Sequence, residues 1–240
     1  MEKESPLSIF ISSERERFGT EDNNKFAFSF SQISRYCEFT KLIFGRYKKV
    51  GEQFIANTKA KQQSFLPGIH KVSDAQLLLL EESRQLSILL HLEIESYYLF
   101  AKILLDKIAH SIEFYFGPVR ARPLDSHDDV CKNLPLYSEQ KALVLSPDFL
   151  KVAAGLKKDV SDYRDHEIAH EKSPRRMSGT IFDGDGKTRI AASNLYPKEQ
   201  DQQVESKALE DLQVQMDDYI IQFIDFIKHN AGKTRLRLEP

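Results

Sequence analysis

The chain has 240 residues, of which 41% are hydrophobic and 29% are charged. This length and composition are those of a globular protein with a sizeable core, and they exclude an intrinsically disordered chain. The net charge of −2 lacks the basic excess of a dedicated nucleic-acid binder, so any contact with nucleic acid needs a local basic patch.

Cysteine usage and hydropathy indicate the compartment. Cys37 and Cys131 lie far apart and show no metal-ligand spacing, which favours a reducing environment over a disulfide framework. The first residues lack the apolar stretch of a signal peptide, and no window approaches the roughly 20 apolar residues that span a bilayer. We therefore expect a cytoplasmic protein with no membrane segment.

Residues 1–73 are expected to form an N-terminal helical or extended segment that packs on the main bundle. The alternation of Phe26, Phe28 and Phe30 predicts a short strand. From Phe30 the apolar residues recur every three or four positions, which predicts a helix to about Asn57. Pro67-Gly68 then marks a turn.

Ser73-Asp74 is a helix N-cap signal that opens a long helical segment. The segment stops at Gly117-Pro118 and would measure roughly 64 Å at ~1.5 Å per residue. A break near Ser83 or Ser87 is predicted. Residues 89–109 are apolar around much of the helix circumference, which indicates a central helix contacted on several sides or one that meets a second subunit.

Residues 117–145 contain three prolines and an acidic group, which predict a connecting loop with short helical pieces. Together with a neighbouring histidine, the acidic group could be a metal cluster, but we interpret it as a solvated loop. Its members are Asp125, His127, Asp128 and Asp129.

The last part of the chain alternates between helix and hairpin signals. Ser146-Pro147 predicts a helix start, and the helix should run to about Lys172. An Asp-Gly turn predicts a β-hairpin at 180–190, and an amphipathic helix should end near residue 230. Residues 231–240 are expected to form a frayed basic tail. The predicted fold class is all-α, with residues 74–230 as a helical bundle that carries the small hairpin.

An apolar row on the helix after Pro147 turns ionic at its end. At 100° per residue the row comprises Phe149, Val152, Leu156, Val160 and Tyr163. Its next two positions are Glu167 and His170, so the row either enters solvent as an ordinary ionic helix face or lines a polar pocket.

Two functional motifs overlap here, and the first is a zinc pattern. His166-Glu167 and His170 fit H-E-x-x-H, in which two histidines one turn apart bind zinc and the glutamate polarises a water. Charged residues flank the pattern and no third ligand lies nearby, although Glu205 or Glu210 could serve from a later helix. A zinc hydrolase is a minor alternative, and we expect neither metal nor cofactor.

The second motif is an arginine, a polar residue directly after it, and a histidine six positions beyond the arginine. Arg164, Asp165 and His170 have this pattern on a late helix that follows a long apolar helix. In this the chain resembles the HEPN superfamily (higher eukaryotes and prokaryotes nucleotide-binding domain), over about residues 75–230. The resemblance implies a HEPN-like helical bundle.

The resemblance also implies a metal-independent endoribonuclease of a toxin or phage-defence type, in which the 2′-hydroxyl of RNA is the nucleophile. His170 would be the general acid or base, Arg164 would hold the phosphate, and Asp165 would orient one of them or contact the RNA. The residues expected to contact the RNA substrate are Tyr163, His166, Glu167, Lys172, Arg175 and Arg176. The last three would form a local basic patch, with a solvated loop as the alternative.

Six residues at 100° leave Arg164 and His170 about 120° apart on an ideal helix, so one straight helix does not bring them together. The resemblance implies a homodimer in which two motif helices share one cleft, with an antitoxin as a possible further partner. The alternative is a non-catalytic HEPN-like binding or interaction module.

Overall fold

The computed structural model describes residues 4–65, 72–165, 177–184, 187–194 and 209–239, with the backbone alone in the two ranges between 177 and 194. The described part is mostly helical, as an all-α fold requires. Its helices are α1 (Pro6–Arg15), α2 (Thr20–Ser64), α3 (Asp74–Phe116), α4 (His127–Gln140), α5 (Pro147–Leu156) and α6 (Leu209–His229). A π-helical turn, Lys157–Asp162, continues α5, and a 3₁₀ turn, Ala231–Lys233, follows α6.

Local signals define both ends of α3. The Ser73 side chain accepts from the Gln76 backbone N–H, and the Gln76 side chain accepts from the Ser73 backbone, which completes a capping box. Gly117 ends the helix with a φ of 85°, where a glycine avoids Cβ strain. The predicted bounds are confirmed, but the predicted break near Ser83 or Ser87 is wrong, since α3 runs as one helix through both residues.

The predicted strand at Phe26, Phe28 and Phe30 is also wrong, because all three residues lie within α2. Phe26 and Phe30 are one helical turn apart and are fully buried, whereas Phe28 lies on the opposite side and is exposed. Three alternating apolar residues fit either period, and here only two of them face the core.

The core lies where α2 and α3, which pack along each other, meet the shorter helices. Aromatic rings from four elements fill its centre. Phe26 and Phe30 stack at 4.2 Å between ring centroids, and Phe30 also stacks on Phe223 of α6 at 5.9 Å. Across the described residues, no helix combines the length and hydropathy needed to cross a membrane.

The C-terminal residues pack on the bundle, which corrects the expectation of a frayed basic tail. The Arg235 backbone N–H donates to the Tyr115 carbonyl at 3.0 Å, and the Glu239 N–H donates to the Arg17 carbonyl at 2.9 Å. Leu238 pairs with Phe18 in an isolated antiparallel bridge. The tail therefore covers the end of α3, although its basic composition predicted that it would be exposed to solvent.

Two antiparallel strands follow the motif region, β1 (Met177–Gly184) and β2 (Lys187–Asn194). Their register places Ile181 opposite Ile190 and Gly184 opposite Lys187. Residues 185 and 186, which belong to the predicted Asp-Gly turn, lie outside the described residues.

Candidate active site

The helix that leads to Arg164 changes from α to π geometry at Lys157. Ser146 caps α5 by accepting from the Asp148 backbone N–H at 3.2 Å, and Phe149, Leu156 and Val160 are buried as predicted. In a π-helix each N–H bonds five residues back, so the chain turns by less per residue than in an α-helix. The predicted apolar row assumed 100° per residue, so its angles do not apply across this turn, between Leu156 and Tyr163. Glu167 and His170, its predicted continuation, lie outside the described residues.

Aromatic stacking anchors the end of the π-turn. The Tyr163 ring, predicted as a substrate contact, stacks on Tyr98 of α3 with 4.4 Å between centroids and 27° between planes. Arg164 follows directly and forms an ion pair with Asp165. The Arg164 side chain is 29% exposed, while its Nε is buried and has no hydrogen-bond partner in the described part of the chain.

Lys157 connects the π-turn to α4. Its Nζ lies 3.2 Å from Asp162 Oδ1 and 3.9 Å from Asp128 Oδ2. The hydrogen bond that Lys157 donates to the Asp162 carboxylate raises the pKa of Lys157, so the amine stays charged. Two carboxylates on separate elements thus share one cation beside the motif.

The acidic group predicted as a solvated loop is partly the first turn of α4, which corrects that interpretation. Ser126 caps the helix by accepting from the Asp129 backbone N–H at 3.2 Å. The His127 backbone N–H donates to Asp106 Oδ1 at 2.9 Å, and the same oxygen accepts from Lys102 Nζ at 2.6 Å. This cap turns the His127 side chain into the bundle, while Asp125 stays exposed.

The His127 ring is fully buried and meets Tyr219 of α6 edge to face, with 5.5 Å between centroids. Both ring nitrogens of His127 lack a hydrogen-bond partner among the described residues, and so does the Tyr219 hydroxyl. Burial, followed by the charge of Lys102, lowers the pKa of His127 to about 3. Burial also raises the pKa of the Cys131 thiol to about 11, which leaves it unreactive.

We call the residues beneath the π-turn the polar cluster; its members are Lys102, Asp106, His127, Asp128, Lys157, Asp162 and Tyr219. The sequence interpretation missed it. A signal was present, because Ser126 and Asp129 have the S-x-x-D spacing of a helix start.

The structure brings Arg164 and Asp165 together beside Tyr163. The other predicted site residues lie outside the described residues, namely His166, Glu167, His170, Lys172, Arg175 and Arg176. Glu205, the suggested third zinc ligand, lies outside them too, whereas Glu210 is exposed at the start of α6. Within the described ranges, no three His, Cys, Asp or Glu side chains are grouped to hold a metal ion.

Comparison with known proteins found no family model, no curated protein and no solved structure that matches this chain. The chemistry open to the site therefore follows from its own residues. A partly exposed guanidinium offers a planar fork of donors to a phosphate, and its only ion-pair partner in the described part is an adjacent, partly exposed carboxylate.

Proposed function

We propose that this protein is a HEPN-like, metal-independent endoribonuclease in which Arg164 binds the scissile phosphate and His170 transfers protons. The observation that carries the proposal is the presentation of Arg164. Its side chain is partly exposed at the end of a π-turn that is anchored by the Tyr163–Tyr98 stack and by the Lys157 bridge. π-turns of this kind are frequent at functional sites.

The proposed reaction uses the RNA itself as the nucleophile. His170 accepts the proton of the 2′-hydroxyl as its oxygen bonds to phosphorus, and the bond from phosphorus to the 5′-oxygen breaks. The leaving oxygen takes up a proton, and the products are a cyclic phosphate and a 5′-hydroxyl. Arg164 stabilises the charge that develops on the phosphoryl oxygens. Asp165 holds the guanidinium until a phosphate replaces it.

A row of exposed apolar residues on α3 supports the proposed homodimer. Ile88, Leu92, Leu99 and Ile103 lie within about 60° around the helix and are 36–55% exposed. Tyr98, on which Tyr163 stacks, is one residue from Leu99 and so about 100° around α3 from it. A second copy packed on this row would therefore lie beside the side of α3 on which Tyr163 stacks.

The test is cleavage of a mixed RNA pool by the purified protein, with and without EDTA. We expect EDTA-resistant cleavage that falls by about 10²–10⁴-fold in His170→Ala, the range for loss of an acid–base group. Arg164→Ala should fall comparably, and Arg164→Lys should keep part of the rate because the charge remains without the fork. His229→Ala, at an exposed position at the end of α6, is the matched control.

Each other outcome overturns the proposal. RNA binding without cleavage under any condition favours the non-catalytic binding module. Cleavage that EDTA abolishes, together with stoichiometric bound zinc, favours a hydrolase built on His166, Glu167 and His170. Activity that survives His170→Ala assigns the chemistry to another residue.

A further inference from the structure

The outer face of α2 carries a row of exposed side chains that combines aromatic and apolar groups with cations. Its members recur at three- and four-residue spacing within about 80° around the helix: Phe28, Arg35, Phe39, Leu42, Arg46 and Lys49. Phe28 is 73% exposed, Leu42 62% and Phe39 37%. The core residues of α2, such as Phe30 and Ile33, lie on the other side, so the row is not part of the buried core.

The charge around the row is positive although the whole chain is acidic. Residues 26–64 contain seven basic and two acidic side chains, against a net charge of −2 for the chain. Arg46 pairs with Glu93 at 3.0 Å, and Lys48 lies 5.1 Å from the centre of the Phe44 ring. Arg35 and Lys49 form no ion pair with any described residue, so their charges are available to an anionic partner.

Phe39 has the properties of a stacking platform. Its ring meets Tyr36 and Phe100 edge-on, with centroid distances of 5.6 and 5.5 Å, so two neighbours fix its orientation. Aromatic rings interleaved with cations along a groove or ridge are typical of surfaces that bind single-stranded nucleic acid, because bases stack on the rings while phosphates meet the cations.

The row is separate from the proposed active site. Phe100, which supports Phe39, and Tyr98, which supports Tyr163, are two residues apart on α3 and therefore lie on opposite sides of that helix. The two surfaces are at the same height in the bundle and face different directions. Contacts to RNA on α2 would act in addition to Arg164.

We propose that the α2 row binds single-stranded RNA, with Arg35 and Lys49 on the phosphates and Phe39 stacked on a base. The inference rests on the proposed function for its choice of RNA as the polyanion. It adds a second RNA-binding surface that holds the strand away from the point of cleavage.

The test is fluorescence anisotropy of a labelled oligouridine with the full chain. Arg35→Glu combined with Lys49→Glu should weaken binding at least tenfold and lower the log–log salt slope by about 1.4, given ~0.7 per phosphate contact on a single strand. Phe39→Leu keeps an apolar side chain without the π-face, and it should weaken binding about tenfold with the salt slope unchanged. Lys228→Glu combined with Lys233→Glu, both exposed near the C-terminus, is the control for net charge.

The outcomes separate this inference from the nuclease. Binding that depends on the row without any cleavage supports the row and counts against the nuclease. Cleavage with RNA affinity unaffected by the row variants overturns the row and leaves the nuclease standing. Wild-type protein that does not bind oligouridine, or a control variant as weak as the row variants, also overturns the row.

Discussion

His127 is the residue for which composition and structure disagree most. Its neighbours Asp125, Asp128 and Asp129 indicated a solvated loop, yet its ring has no solvent exposure. The reason is local, because the Ser126 cap fixes where α4 begins and so decides which of four consecutive residues faces inward. A polar run predicts solvent on average and cannot assign the direction of one side chain within it.

The buried His127 should make the fold sensitive to acid. Its folded pKa lies below the unfolded value of 6.5, so the unfolded chain binds the extra proton first, and stability is present above pH 6.5 and lost as the pH falls towards 3. At about 1.4 kcal/mol per pH unit, the free energy of unfolding should fall by about 2 kcal/mol between pH 7 and pH 5 from this group. Urea unfolding at several pH values measures it.

His127→Phe is the informative variant, since it keeps a ring against Tyr219 and removes two nitrogens that lack partners in the described structure. Its stability at pH 7 should match the wild type within about 1.5 kcal/mol. Between pH 7 and pH 5, the free energy of unfolding of this variant should fall by about 2 kcal/mol less than that of the wild type, which is the amount assigned to the histidine. Equal pH dependence in the two proteins would show that His127 does not carry the acid sensitivity.

At the scale of elements, boundaries with a chemical cap were predictable and changes of helix type were not. Ser73 and Gly117 fix the ends of α3, and Ser146 fixes the start of α5, each through one side chain or one backbone angle. The π-turn has no such signature, because it arises from how residues after Leu156 fit against α3 and α4. The direction of Arg164 depends on that turn and therefore could not be derived from the sequence.

Lys157 tests whether the π-turn positions the proposed site. Lys157→Met removes both bridges at modest cost, about 0.5–1 kcal/mol, because the amine is partly exposed. If Arg164 depends on this bridge, kcat for RNA cleavage should fall about tenfold with KM little changed, and Lys157→Arg should restore most of it. Steady-state kinetics beside urea unfolding gives both quantities.

A different pattern would assign Lys157 a purely structural role. In that case the activity of Lys157→Met would follow its folded fraction, and stabilising the protein by lower temperature would restore the rate. Lys151→Met, at an exposed position of α5, provides the comparison for a lost lysine that bridges no elements.

At the scale of the molecule, the all-helical class followed from periodicity, while long-range pairings did not. The packing of α2 along α3 joins residues such as Arg46 and Glu93, which are 47 positions apart, and the return of the C-terminus joins Thr234 to Tyr115 across 119 positions. No local pattern encodes such contacts. The basic tail shows the limit, because Arg235 and Arg237 indicated solvent whereas backbone hydrogen bonds hold this segment on the bundle.

The exposed row on α3 gives the last prediction, which concerns assembly. Four large apolar side chains along about 22 Å of helix (~1.5 Å per residue) form a patch of the kind that marks an interface. Leu92→Glu combined with Leu99→Glu should convert a dimer into a monomer in light scattering, since each places a charge in an apolar contact. Val214→Glu, at an exposed position of α6, should leave the mass unchanged.

If the two motifs share a cleft, the monomeric variant should also lose RNA cleavage, and a mixture of Arg164→Ala with His170→Ala should regain part of it through mixed dimers. A wild-type protein that is monomeric at all concentrations would remove both the interface and the shared cleft, whereas a dimer that survives the double change would place the interface on another face.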